Sequence, residues 1–397
     1  MVIAPFDFAT VAHIVFGSGV RERLGEFSSP LGKRALVVTG RTPGRAAWAL
    51  ALLAQAGATT TTFAVPGEPS VNDVEMGAAL ARTRRADFVV AIGGGSVIDA
   101  GKAIAALATN DGAAIDYLEV VGAGRPLGRP PLPSIAVPTT AGTGSEATRN
   151  AVLTVPDRRV KVSLRNPLML PRVAIIDPEL SRDLPPSLTA STGLDALTQL
   201  IEAYVSVRAQ AMTDPLCVEG IRLVARSLRT ACRDGTNAAA REAMALASLW
   251  SGIALANAGL GAVHGLAGPI GGMFEAPHGA VCAALLPHVC AANLRACRQA
   301  AEAEGADPAH TPARRTVDRF AYVARLLTGD PGASPEQGVE WLGILVDDLQ
   351  IPGLAAYGIA DEDISAIATQ ALRSSSMKGN PCALRLDDLS AIVRAAL

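Results

Sequence analysis

Phe88-Val89-Val90-Ala91-Ile92 carries no polar residue and runs straight into Gly93-Gly94-Gly95-Ser96, after which a helical pattern extends from Val97 to Ala108. An uninterrupted apolar run of this length reads as a strand buried on both faces, the kind found inside parallel sheets. Consecutive glycines at its end permit a tight turn and let another group approach the backbone closely, at an entropic cost that something should offset. The helix that opens there directs its first N–H groups, and the positive end of its dipole, at the space beyond the strand. The pattern therefore predicts an anion site at Gly93-Gly94-Gly95-Ser96, with Asp99 and Lys102 on the first turns of the helix. The competing reading is a strand-to-helix turn with no ligand.

The same alternation continues around this unit. Strands are expected at Arg34–Thr39, Thr60–Ala64, Ser134–Val137 and Val173–Ile176, with helices over Ala46–Ala56 and Val71–Arg84. Strands alternating with helices imply parallel pairing through crossover helices, hence an α/β domain. After Asp177-Pro178 the text changes to Ala/Leu-rich segments with 3.6-residue spacing, and Pro185-Pro186 marks the boundary. Ser187, Thr189 and Ser191 offer N-caps, placing the start of a helix near Asp195. The polar stretch from about Ala301 to Arg315 reads as a connection between helices. The expected organisation is a dinucleotide-type α/β domain over 1–183, a helical domain over 184–397, and a cleft between them.

Several function classes are excluded by composition. A net charge of −2 gives no footprint for nucleic acid or an anionic membrane surface, and 49% hydrophobic residues exclude a disordered chain. Met1 to Phe8 is not a basic-then-apolar leader, so no secretory signal is read there. Ala243 to Phe274 lacks any charge but holds Asn257, His264 and Pro269, and reads as a buried helix broken at Gly268-Pro269 rather than a membrane span. None of the six cysteines forms a CxxC pair, and Cys282, Cys290 and Cys297 read as small core residues. A reducing cytoplasm fits.

Of five histidines, His264 and His278 fall within fifteen residues of one another in the charge-poor region. Asp195 and Gln199 are spaced i, i+4 in GLDALTQLIEAY and share one helix face. Two imidazoles and a carboxylate with open positions suit iron(II), and zinc(II) accepts the same set. The alternative for Asp195 is a first-turn carboxylate stabilising the helix dipole. His13, His288 and His310 are assigned to packing, capping or solvent. Gly142-Thr143-Gly144-Ser145-Glu146-Ala147 matches GxGxxG/A literally but lacks the acidic residue about 20 positions on that would bind a ribose. Its hydroxyls and glycines suit a loop lying against a polar ligand.

GGGSVIDAGKA (93–103), PTTAGTGSEAT (138–148), GLDALTQLIEAY (193–204) and VHGLAGPIGGMFEAPHGAVCAALLPH (263–288) together resemble the iron-containing alcohol dehydrogenases, from FGSG at Phe16–Gly19 to Asn380-Pro381. The resemblance implies a Rossmann-like nucleotide domain followed by a helical metal-binding domain. It places Gly94, Gly95 and Ser96 at the cofactor pyrophosphate, Asp99 beside the nicotinamide ribose, Thr139, Thr140 and Thr143 along the nucleotide, and Lys161 near a cofactor-contacting lysine. The implied metal ligands are Asp195, position 199, His264 and His278, which act in catalysis through the metal. Two departures stand out: Gln199 where the family usually has histidine, and Gly268 where a histidine linked to proton relay and substrate placement is frequent. NAD-preferring members tend to carry Asp after the VVT strand. Gly40-Arg41-Thr42 has none, and Arg41 can pair with a 2′-phosphate, so NADP is favoured over NAD. The expected reaction interconverts a small alcohol and its aldehyde or ketone, in a chain for which the family's frequent dimers suggest a homodimer. The rivals are a dehydroquinate-synthase-like cyclase, which needs a richer basic set, a metal-free maleylacetate-type reductase, which Gln199 favours and the histidine pair opposes, and a nucleotide-binding protein without catalysis.

Overall fold

The computed structural model describes residues 5–303 and 311–397. His310 and part of the expected 301–315 connection lie outside the described residues. Two compact units emerge: Ala9–Asp183, and Leu184–Leu397 together with residues 5–8.

The first unit is built on a six-stranded sheet in the order β1-β8-β5-β4-β2-β3, parallel at every pairing. Its strands are β1 (His13–Phe16), β2 (Arg34–Thr39), β3 (Thr59–Ala64), β4 (Phe88–Gly93), β5 (Ser134–Pro138) and β8 (Val173–Ile176), and its helices are α1 (Leu24–Ser28), α2 (Ala47–Gln55), α3 (Val71–Thr83) and α4 (Gly95–Thr109). Alternate residues serve opposite faces. Leu36, Val38, Val89 and Ala91 pack under α3 and α4, while Val37, Phe88, Val90 and Ile135 pack against Leu24, Ala49 and Leu53 of α1 and α2. Each fully buried aliphatic or aromatic side chain contributes about 1.5–3 kcal/mol. The chain leaves β2 toward β3 and leaves β4 in the opposite direction toward β5, so the order reverses between β2 and β4. A crevice at the carboxyl ends of two such strands is where open α/β sheets bind ligands.

Three strands escaped the sequence pattern. β1 is one of them; the others, β6 (Asn150–Val155) and β7 (Val160–Arg165), form a separate antiparallel pair. Ala151, Leu153, Val155 and Leu164 join the core beneath α4 with Val160 and Val162 packed against it, while Val152 and Arg165 are exposed. Half-buried strands of this kind carry only a period-2 signal, present in VKVSLR but short.

The second unit is helical: α5 (Pro186–Val205), α6 (Asp214–Arg233), α7 (Ala238–Ala258), α8 (Ala262–Met273), α9 (His278–Ala303), α10 (Pro312–Thr328), α11 (Pro335–Asp348), α12 (Ile364–Ala371) and α13 (Leu386–Ala395). The uncharged stretch is two helices, α7 and α8, bent by 99°. The break falls at Gly259–Gly261, and α8 continues through Gly268-Pro269, contrary to the expectation from the Gly-Pro pair. α9 is long and apolar enough to cross a membrane, but 78% of its apolar window is buried in the unit, as in a core helix. α5 begins at Pro186 with no side-chain cap from Ser187, Thr189 or Ser191. Asp195 therefore sits mid-helix, too far from the N-terminus for the dipole to account for it.

Candidate active site

At the β4–α4 turn Gly94 is the N-cap, and no side chain caps the helix. The N–H groups of Val97 and Ile98 turn back to the Gly94 carbonyl at 3.0 and 3.1 Å, and no side chain caps those of Gly95 and Ser96. A Cβ at Gly95 would lie 2.6 Å from Thr143 Cγ2, and one at Gly94 would lie 3.3 Å from Thr140 Cγ2. The Thr139 N–H donates to the Gly93 carbonyl at 2.9 Å, drawing the loop after β5 against the glycines. Gly40 and Arg41 follow the end of β2 on the other side of the crevice, where Arg41 is exposed and its Nε donates to the Pro66 carbonyl at 3.2 Å. Gly40, Gly94, Gly95, Ser96, Thr139, Thr140 and Thr143 thus follow the carboxyl ends of the neighbouring strands β2, β4 and β5.

Asp99, Lys102 and Lys161 have other engagements. Asp99 accepts from Ser145 Oγ and, at 2.8 Å, from the Val152 N–H. Lys102 is buried, 2.9 Å from Asp99 Oδ1, and donates to the Ser145 carbonyl at 2.9 Å and to Thr148 Oγ1 at 2.8 Å. These bonds stitch α4 to the Gly142–Thr148 loop and to β6. Beside them, burial pushes the Glu146 carboxyl up to about 7, against the pull of Lys102. Lys161, on β7, is ion-paired with Glu68.

The second site is made of side chains. Asp195, Gln199 and Glu202 lie at i, i+4 and i+7 on one face of α5, and all three are buried. His264 lies in the first turn of α8 and His278 is the first residue of α9. His264 Nε2 is 3.3 Å from Asp195 Oδ1, and His278 Nε2 is 3.9 Å from the same oxygen. Cys282, one turn beyond His278, brings its Sγ to 3.6 Å from His278 Nε2 and 3.9 Å from His264 Nε2. Donor atoms of these four residues all lie within 4.8 Å of one another.

The surroundings fix their aim. Glu202 Oε2 is 2.6 Å from His264 Nδ1, and Oε1 accepts the Val263 N–H at 2.7 Å. This carboxylate–imidazole contact orients Nε2 toward Asp195, the arrangement usual behind metal-ligating histidines. Gln199 donates from Nε2 to Asp195 Oδ2 at 3.2 Å, and its Oε1 accepts from Ser251 Oγ of α7 at 2.7 Å. Asn380 Oδ1 accepts the Ala262 N–H at 3.0 Å, anchoring the start of α8. Gly279 approaches α5 so closely that a Cβ there would stand 2.6 Å from the Ser191 carbonyl oxygen.

The charges support one another against burial. Burial raises the Asp195 carboxyl, but His264 and His278 outweigh it and hold it below its usual range. Burial likewise opposes charge on His264, yet Cys282 and Glu202 lift it well above an ordinary imidazole; Cys282 lifts His278 against burial. At Cys282 burial is overcome by the two imidazoles, and the thiol is lowered. Asp195 Oδ1 is buried and has no hydrogen-bond partner, despite its short approach to His264. A buried carboxylate oxygen that accepts no well-formed hydrogen bond and is approached by two ring nitrogens, at 3.3 and 3.9 Å, fits a divalent cation in place of the imidazole protons.

Iron-containing alcohol dehydrogenase family models match residues 12–178 and, for the C-terminal part, residues 189–397. The chain belongs to the iron-containing alcohol dehydrogenase family. It is 37% identical to the 1,3-propanediol dehydrogenase of Klebsiella pneumoniae, over 98% of each chain. It is 34% identical to the NAD-dependent methanol dehydrogenase of Bacillus methanolicus, over 96% of this chain and 97% of that one. A crystal structure of 1,3-propanediol oxidoreductase superposes with a TM-score of 0.90 at 36% identity, covering 99% of this chain and 100% of that one. As a member of this family the chain is a nicotinamide-linked oxidoreductase that interconverts alcohols and carbonyl compounds, with a metal-binding helical domain.

Two residues of this site were not singled out from the sequence. Glu202 carried a signal, as the charged residue seven positions beyond Asp195 in a helix with no other charge. Cys282 was assigned to the core; it is buried, but in the metal pocket, and its i+4 spacing from His278 was the cue. Cys290 and Cys297 are buried as expected, and all six cysteines are free. His13 packs edge-on against Phe27 with ring centroids 4.8 Å apart, and His288 is partly buried.

Proposed function

We propose that the chain reduces small aldehydes, and oxidises the corresponding alcohols, at a single divalent metal held by Asp195, His264 and His278. The observation that carries this reading is the convergence of those donors around the unpartnered Asp195 Oδ1. When bound, the metal supplies Lewis acidity to the alcohol or carbonyl oxygen and the nicotinamide gives or takes the hydride. Asp195 supplies the negative charge, Glu202 holds His264 in the orientation that presents Nε2, and Gln199 positions Asp195 from behind rather than offering its already engaged oxygen. His278, with 35% of its side chain exposed, marks the open side of the pocket where substrate enters. At Gly268, four residues after His264, an added Cβ would meet open space. A proton here has no side-chain relay at that position and travels through water or a ribose hydroxyl.

The dinucleotide's pyrophosphate is assigned to Gly94, Gly95 and Ser96, its length to Thr139, Thr140 and Thr143, with Asp99 and Lys161 at the edges of the site. NADP is the favoured form, because Gly40-Arg41-Thr42 offers a guanidinium and no carboxylate to the ribose. The methanol dehydrogenase relative is NAD-dependent by name, so NADPH and NADH are to be compared directly; a kcat/KM ratio favouring NADH overturns the preference. The buried or half-buried free thiols suit a reducing cytoplasm.

Elemental analysis of protein reconstituted anaerobically with iron(II) or zinc(II), alongside Asp195→Ala, tests the central reading. One metal per chain is expected, lost in the variant together with aldehyde reduction, while NADPH binding persists. No stoichiometric metal with activity intact would move the chain to the metal-free reductases.

A further inference from the structure

The pocket holds a fourth donor beside Asp195, His264 and His278. We propose that Cys282 Sγ is a direct metal ligand, giving an Asp–His–His–Cys set that selects zinc(II) over iron(II) and would admit the substrate oxygen as a fifth ligand. This rests on the metal reading above and goes beyond it, in naming both a ligand and the metal it favours.

Helix geometry puts His278 and Cys282 on one side of α9, since residues four apart stack one above the other. The distances then fit a tetrahedral ion. Bonds of about 2.0–2.1 Å to nitrogen or oxygen and about 2.3 Å to sulfur space neighbouring ligand atoms roughly 3.3–3.6 Å apart. Four of the six separations are 3.3 Å for His264 Nε2 to Asp195 Oδ1, 3.6 Å for Cys282 Sγ to His278 Nε2, and 3.9 Å for both Sγ to His264 Nε2 and His278 Nε2 to Asp195 Oδ1. The two remaining donor pairs lie within 4.8 Å, so side-chain shifts of up to about an ångström would close the set around an ion.

Gln199 leaves that corner to the sulfur. Its amide nitrogen is directed at Asp195 and its oxygen accepts from Ser251, so it supports the carboxylate from the far side. The fourth donor thus comes from α9 instead of α5. Replacing a hard amide oxygen by a thiolate softens the whole set, and thiolate-containing tetrahedral sites select zinc among the abundant divalent ions.

Cobalt(II) is the probe, loaded anaerobically into the full-length protein and read by absorption. Visible ligand-field bands report uptake at the site, and a thiolate-to-cobalt charge-transfer band in the near ultraviolet reports sulfur ligation. Wild type is expected to show both. Cys282→Ser should keep the visible bands, lose the charge-transfer band, and lower the zinc-over-iron selectivity in competitive loading at least tenfold. Cys232→Ser and Cys382→Ser, which alter thiols away from the pocket, should keep both bands. Visible bands without charge transfer in wild type, or a charge-transfer band that survives Cys282→Ser, overturns sulfur ligation while leaving the metal site standing. No cobalt uptake, with no difference between wild type and Asp195→Ala, overturns the metal reading itself and the ligand assignment with it.

Discussion

The two sites of this chain are built by opposite means. At the β4–α4 turn, the proposed pyrophosphate site, the groups on offer are backbone N–H donors, and what matters about Gly93, Gly94 and Gly95 is the side chain they lack. In the helical unit every functional atom belongs to a side chain, and the backbone of α5, α8 and α9 only carries those atoms to one point. A site made of backbone tolerates changes of chemistry nearby but not added volume. A site made of buried donors tolerates neither loss of charge nor misaimed lone pairs, because a buried ionisable group left unpaired costs several kcal/mol.

The contrast is broken most severely by exchanging the insults. Gly95→Val puts a branched side chain where the first added carbon already lies 2.6 Å from Thr143 Cγ2. Overpacking by one side chain costs about 1–3 kcal/mol, up to roughly 100-fold in an equilibrium constant. The expected outcome is a dinucleotide dissociation constant raised about 100-fold, by fluorescence titration, with metal content unchanged. Glu202→Gln keeps volume and removes charge behind His264. Loss of such a partner lowers metal affinity about 10- to 100-fold. Competition against a chelator should show that loss while dinucleotide binding stays as in wild type. If either variant damaged both sites equally, the two constructions would not be independent.

That difference also decides what could be read in advance. The glycine turn is local: strand, glycines and helix are contiguous, so the turn itself, three of the six strands and their parallel pairing were legible from residues 34–108. The helical site is not local. Asp195 and Cys282 are brought together only by the packing of α9 on α5, which the close approach at Gly279 permits. Spacing picked out His264, His278 and the Asp195–Gln199 face. It could not distinguish a cysteine buried in the core from one buried against two imidazoles, nor follow α8 through Pro269, where tertiary packing overrides the proline signal. The expectation that Asp195 opens a helix failed because Pro186 starts α5 earlier than the serine and threonine caps suggested.

A buried charge in the nucleotide unit sharpens the comparison, since it shows that unit paying in stability for a polar interior. Glu146 is held at about 7 by burial, above the ordinary 4.5. With its folded pKa raised, the native state holds the proton more tightly than the unfolded chain. The resulting stabilisation is complete below about pH 4.5, declines as pH rises, and is gone once pH passes about 7. At about 1.4 kcal/mol per pKa unit the bound is about 3 kcal/mol. We expect Glu146→Gln to recover about 1–2 kcal/mol at pH 8 relative to pH 5, less than the bound because Lys102 loses a countercharge. Thermal melts at the two pH values measure it; a variant offset that is the same at both would show that Glu146 does not titrate in this range.

The smallest effect tests whether open space in the metal-site helix is used by the fold at all. Gly268 lies in the interior of α8, where an added Cβ meets nothing within 4 Å, whereas at Gly279 in α9 it meets the Ser191 carbonyl. Glycine in a helix interior is about 0.5–1 kcal/mol less favourable than alanine because the unfolded chain has more freedom to lose. Gly268→Ala should therefore raise the melting temperature by a few degrees at most, with metal content unaltered. The same change at Gly279 should lower it and weaken metal binding, since His278 moves with the first turn of α9. A destabilised Gly268→Ala would mean that the space beside His264 is needed by the fold; a stabilised one leaves it to the substrate, on the side of the pocket where the family's frequent histidine is missing.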